Sequence, residues 1–226
     1  MEEFQKIINN FKENEVSKYG SLNREIKAMI SIVVLTTLGT VKEIKKEVKT
    51  SLEAGVLPEL LSESAIQCTP YVGYSKVEEA LEVIYVTLKE NGVELPLKKQ
   101  SKTVGEKRFI KGLSVQQSIF GKDRIKNMRI SEPDDLMHIK DYLSAYCFGD
   151  FYTRGIVALN VRELLTFCCL ATLGGCEPQL KAHIAGNLNV GNRRDELLSA
   201  ITWCIPYIGF PRTLNTINCI NEIAEK

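Results

Sequence analysis

The chain has 226 residues, enough for one large domain or two small ones, and its 44% hydrophobic and 25% charged content is that of a globular protein. A formal net charge of +1 supplies no field to collect nucleic acid or an anionic membrane surface. Seven cysteines without a CxxC spacing, and only two histidines, His138 and His183, argue against a disulfide scaffold and against a zinc site. No metal set, and no cofactor fingerprint such as GxGxxG or a P-loop, stands in the sequence.

The N-terminal run MEEFQKIINNFKENE is charged from its start and lacks the basic-then-apolar order of a secretion signal. The longest apolar runs, IVVLTTLG (32–39) and LLTFCCLATLGG (164–175), are too short to cross a bilayer, so a cytoplasmic protein is expected. Residues 21–39, SLNREIKAMISIVVLTTLG, open with a polar cap-like segment and end at glycine, which predicts a helix. The basic, apolar-poor stretch around Pro96 marks a boundary: a first unit over 1–93, a linker over 94–107 and a second unit over 108–226. Residues 159–174, LNVRELLTFCCLATLG, repeat the cap-to-glycine pattern, and Cys168 and Cys169 inside this apolar run read as buried thiols. In EPQLKAHIAGNLNVG, Leu180, Ile184 and Leu188 form one apolar stripe four residues apart. The last segment carries Leu197, Leu198, Ile201 and Trp203, and Pro206 predicts a bend or break near Cys204–Pro206. Gly209 and Pro211 predict a turn before a final helix. Strand-like alternation is nowhere sustained, so the fold class is all-α.

The halves repeat. CTPYVGY (68–74) returns as CIPYIGF (204–210) at an offset of 136, and Leu52, Gly55 and Leu61 fall on Leu188, Gly191 and Leu197. Upstream, TTLG (36–39) falls on ATLG (171–174) at an offset of 135, which places a one-residue indel between them. The duplication is of a helical core; residues 108–158 show no evident match in the first half. The Cys-Pro-Tyr-Gly segment reads as a bent helix end and turn, with Cys68 and Cys204 as structural thiols and Tyr71 and Tyr207 as possible edges of a pocket.

Residues 148–215 resemble the carboxymuconolactone decarboxylase family, which has the alkylhydroperoxidase D-like fold. The matching elements are G-x-x-[WY]-x-R (Gly149, Tyr152, Arg154), the REL segment (Arg162, Glu163, Leu164), the helix carrying His183, and P-Y-x-G-[FY]-P (Pro206 to Pro211); residues 111–125 look like the family's N-terminal helix. The resemblance implies an all-helical fold that assembles as trimers or hexamers, so a tandem chain is expected to form a homo-oligomer such as a trimer of pseudo-dimers.

Chemistry is expected at Glu163, Cys176 and His183. Cys176 and His183 lie seven residues apart, a rotation of about 700° that sets them on one helix face roughly 10.5 Å apart along the axis. Pro178 suits the first helical turn, so Cys176 stands at the helix N-terminus, where the dipole is expected to lower its pKa. A Glu163–His183 pair is a credible proton-transfer set. Arg154, Arg162 or Arg212 offers a guanidinium to a substrate carboxylate, with Tyr152 and Tyr207 alongside. Three functions follow. The first is a small-molecule enzyme acting on a lactone acid through His183 and Glu163. The second is a thiol-dependent peroxidase using Cys176, although Gln179 stands where the family's peroxidases carry a second cysteine. The third is a non-catalytic assembly protein. In the first copy, His183 falls on Glu47, Arg162 and Glu163 on Lys27 and Ala28, and Cys176 on Thr40 or Val41. The first copy is therefore expected to have no site of its own, and either to line the second copy's site or to occlude it.

Overall fold

The computed structural model describes residues 1–224. Twelve α-helices carry the described chain, and no strand occurs among the described residues. The first copy runs through α1 (Glu2–Asn10), α2 (Arg24–Leu38), α3 (Val41–Glu53), α4 (Pro58–Gln67), α5 (Thr69–Val72) and α6 (Tyr74–Glu90). After a non-helical stretch come α7 (Lys107–Phe120), α8 (Lys122–Ile130) and α9 (Met137–Tyr142), then α10 (Leu159–Leu173), α11 (Glu177–Asn189) and α12 (Arg194–Ile223).

The repeat is visible in the elements. α2 and α10 are each 15 residues long and start 135 positions apart; α3 and α11 are each 13 residues long and start 136 apart. The Asn23 side chain caps α2 by accepting from the Ile26 amide at 2.8 Å, and α2 stops where Gly39 takes φ 73°. α10 stops at Gly174, φ 68°. Every residue from Ala28 to Thr37 and from Arg162 to Thr172 is buried. These two helices pack together as the centre of one core to which both copies contribute, so their apolar character all round is that of fully enclosed helices.

The doubled Cys-Pro-Tyr-Gly segment makes the same bend twice. Gly73 (φ 83°, ψ 163°) separates α5 from α6, and Gly209 (φ 74°, ψ 172°) breaks α12 internally; a β-carbon is strained in that conformation. The sequence places the second break at Cys204–Pro206. Instead the helix runs through Pro206, which gives up an amide hydrogen bond, and turns at Gly209, where glycine accepts the positive φ.

Before α10 the chain forms a π-helical segment, Leu143–Tyr152, that packs against α7. Gly112 on α7 and Gly149 on the segment let the two backbones approach: a β-carbon on Gly112 would collide with the Ser144 carbonyl, and one on Gly149 with that of Arg108. The segment turns Cys147, Phe148 and Tyr152 inward. The first copy has a shorter π-helical turn, Phe11–Glu15. No helix among the described residues is long and apolar enough to cross a membrane.

Candidate active site

His183 and Glu163 meet across two neighbouring helices. α11 and α10 pack side by side, and His183 Nδ1 lies 2.6 Å from Glu163 Oε1. A carboxylate only accepts, so Nδ1–H is the donor and Nε2 is left free. Nε2 has no hydrogen-bond partner among the described residues, and the side chain keeps 9% of its surface exposed, whereas Glu163 is fully buried. The rings of Tyr71 and Phe120 stand edge-on to the imidazole, at 5.8 and 5.2 Å between centroids. Behind it, Asn187 donates to the backbone carbonyls of Glu163 (3.1 Å) and His183 (2.7 Å), which ties the two helices together.

The helix pair closes on Glu163 because residue 186 is glycine. A β-carbon there would sit 2.5 Å from Glu163 Oε1 and 2.8 Å from Ile119 Cγ2. In the first copy the corresponding position is Thr50, opposite Ala28 instead of a glutamate.

A chain of buried hydrogen bonds extends from Glu163. The Tyr152 hydroxyl donates to Glu163 Oε2 at 2.9 Å and accepts from Thr166 Oγ1 at 2.7 Å. Thr166 accepts from Gln67 Nε2 (3.2 Å), and Gln67 Oε1 accepts from Arg162 NH1 (2.8 Å). Arg162 NH2 donates to Glu63 Oε2 (3.0 Å) and to the Gly155 carbonyl (3.1 Å). Arg154 grips the same Glu63 carboxylate through Nε and NH2 at 2.6–3.0 Å. The Tyr71 hydroxyl joins at 3.0 Å from that of Tyr152 and 3.7 Å from Cys147 Sγ. Burial pushes the Tyr71 and Tyr152 hydroxyls well above their ordinary pKa and the Cys147 thiol up to about 12, so all three stay protonated.

Three of these groups come from the first copy. Glu63, Gln67 and Tyr71 follow one another at intervals of four, so they line one face of the α4–α5 rod that packs into the second copy. The first copy thus supplies part of the hydrogen-bond network around Glu163 and His183. The sequence carried one unread signal: Glu63 and Gln67 are polar groups one turn apart in a helix whose neighbours are buried.

Other expected residues lie elsewhere. Arg162, expected to hold a substrate carboxylate, is fully buried, with NH1 and NH2 committed to Gln67, Glu63 and Gly155. Burial lowers its pKa against the pull of Glu63. Arg154 is saturated on its Nε and NH2 edge but keeps 20% of its side chain exposed. Tyr207 sits in the first copy's half, 3.4 Å from Ser31 Oγ and beside Lys12. Cys176 and Arg212 line a small separate recess with Glu177 and Thr216. The Cys176 thiol donates to the Leu170 carbonyl at 3.4 Å. Its pKa, expected to fall at the helix N-terminus, is instead raised by burial and by the Glu177 carboxylate, which together outweigh the helix dipole. Among the described residues no group of three or more His, Cys, Asp or Glu is arranged to hold a metal ion.

This fold, built twice around two central helices, with a histidine–glutamate pair in one copy, defines a class. The model of the carboxymuconolactone decarboxylase family matches residues 2–85 and 138–222, and the chain belongs to that family. The matched segments begin 136 positions apart, so residues 138–158, without an evident partner in the sequence, correspond to the chain's N-terminal stretch. The chain is also similar to 4-carboxymuconolactone decarboxylase of Acinetobacter baylyi: 25% identical over 118 residues, covering 52% of this chain and 87% of the relative.

Proposed function

We propose that the chain is a small-molecule enzyme with one proton-transfer site, in which His183 is the acid/base and Glu163 its orienting partner, acting in the decarboxylation of a lactone acid or a related step. The observation that carries this reading is the 2.6 Å Nδ1–Glu163 contact, which leaves Nε2 free at the partly exposed edge of a buried network. Loss of CO₂ from an activated lactone acid leaves enolate-like charge. The imidazolium Nε2–H delivers its proton to that carbon, and the Glu163 carboxylate, held by Tyr152, offsets the charge on the ring meanwhile. Two guanidiniums share the single Glu63 carboxylate, and Arg154 keeps part of its side chain exposed, which offers a cation to an anionic substrate. Of the two, Arg154 is the one with exposed surface; Arg162 is a positioning residue. The peroxidase reading draws less support, because the Cys176 thiol is engaged with Leu170 and lies in another recess.

The test is turnover of 4-carboxymuconolactone, the substrate in the relative's name, by the full chain. His183→Ala should lower kcat by about 10²–10⁴-fold, the range for losing a general acid/base. Wild-type protein without turnover, or a variant with undiminished rate, removes the proposal. From the family we also propose a homo-oligomer, a trimer of tandem chains or a hexamer, which light scattering tests; the exposed Phe210 and Leu214 are available for such contacts.

A further inference from the structure

The first copy has a hollow at the position related to the His183 site. The correspondence holds bond by bond. Gln67 donates to Thr166 in the second copy; Trp203 Nε1, 136 positions after Gln67, donates to Ser31 Oγ at 3.1 Å, 135 positions before Thr166. Tyr71 lies against Cys147; Tyr207 lies against Lys12, at the matching offsets. Ala28 and Ser17 stand where the second copy has Glu163 and Tyr152. The two large side chains are gone, and a cavity of about 550 Å³ remains, with Lys12, Lys27, Ala28, Glu47 and Trp203 on its wall. That volume is in the range of small-molecule sites.

The charge in this hollow is specific. Two ammonium groups converge on one indole: Lys27 Nζ is 5.0 Å from the Trp203 ring centre and Lys12 Nζ 5.7 Å. Lys12 has Glu47 as counter-charge at 3.9 Å. Lys27 makes its hydrogen bond to a neutral group, the Ser17 carbonyl, at 2.7 Å. The remaining acids on the wall, Glu13 and Glu53, are exposed. The inner hollow therefore has two fixed cations and one fixed anion beside an aromatic surface.

We propose that this hollow is a second ligand site, separate from that of His183, which takes a small organic carboxylate with its acid group at Lys27 and Lys12 and its body against Trp203. It is a binding site: no imidazole stands in it, and Glu47, which occupies the place of His183, is engaged with Lys12. The site needs no activity at His183 to exist.

Trp203 is the single tryptophan of the chain and reports on this hollow directly. Sodium benzoate, added to the full-length protein at low ionic strength, should change the Trp203 emission saturably in the millimolar range, while benzyl alcohol should not. Lys27→Met should weaken the apparent Kd about tenfold, the expected loss for one charge-assisted contact. Ala28→Leu, which fills the hollow without touching charge, should weaken it at least as much. His183→Ala should leave the benzoate curve unchanged. Circular dichroism selects the variants that keep the native fold, and Lys12→Met replaces any that does not. No saturable response, an equal response to benzyl alcohol, or an unchanged curve in the folded variants overturns the proposal.

Discussion

Around His183 the interior is packed with polar groups from both copies that satisfy one another: Glu63 holds two arginines, Gln67 bridges to Thr166, and Tyr152 fixes Glu163. Around Glu47 smaller residues stand at the matching places, Ala28 for Glu163 and Ser17 for Tyr152 from the first copy and Ser199 for Glu63 from the second, and space remains. The backbones agree closely enough that both copies break at the matching glycine. Equal scaffolds therefore do not give equal sites. A buried network works only when each member finds its partner, and replacing the carboxylate removes the reason for the others.

This contrast is open to direct attack, and the largest effect is expected at the network's charged end. Glu63→Gln strands the fully buried Arg162 and should cost about 3–5 kcal/mol, read as a lowered urea midpoint. Its counterpart Ser199→Ala loses one hydroxyl bond to the Asp195 carbonyl and should cost only about 1 kcal/mol in the same assay. Gly186→Ala drives a methyl against Glu163 and Ile119 and should cost about 1–3 kcal/mol, with kcat falling alongside as the Glu163–His183 contact is displaced.

A smaller signature is expected in alkali. The Cys147 thiol ionises in the unfolded chain near 9.0 but, buried, only at about 12. Between these values the native state holds the extra proton, so stability falls as pH rises through the window. Cys147→Ala should flatten that part of the pH–stability curve; an unchanged slope would remove Cys147 as its source. The smallest effect is expected at Cys176. Cys176→Ser should leave turnover within about twofold, since loss of a general acid or base costs far more; a larger drop would return the thiol to the mechanism.

The sequence carries much of the fold in local signals: a capping Asn23, stops at Gly39 and Gly174, and a doubled motif whose glycines both take positive φ. The Glu163–His183 proximity was also legible, because each residue lies on a helix with a clear register. The outer part of the network that supports Glu163 was not. Glu63, Gln67 and Tyr71 arrive from a helix about 100 residues earlier, and no local spacing encodes that approach. Arginine chemistry misled for a related reason: Arg162 has the geometry to clasp a substrate carboxylate, and Glu63 supplies that carboxylate from within. At Cys176 the dipole argument was sound in sign and lost to burial. The first copy was expected to hold no site because its polar residues differ; the same differences hollow it out.

Gly186 has a bearing on why only one of the two copies carries a buried carboxylate between its central helices. Only a residue without a β-carbon leaves room for the Glu163 carboxylate, and the first copy now carries Thr50 there, facing Ala28. In the first copy that demand is absent: with alanine at position 28 no carboxylate comes between the helices, and a threonine stands where the second copy has room only for hydrogen. The space at one α-carbon thus decides which half can hold the carboxylate beside an imidazole.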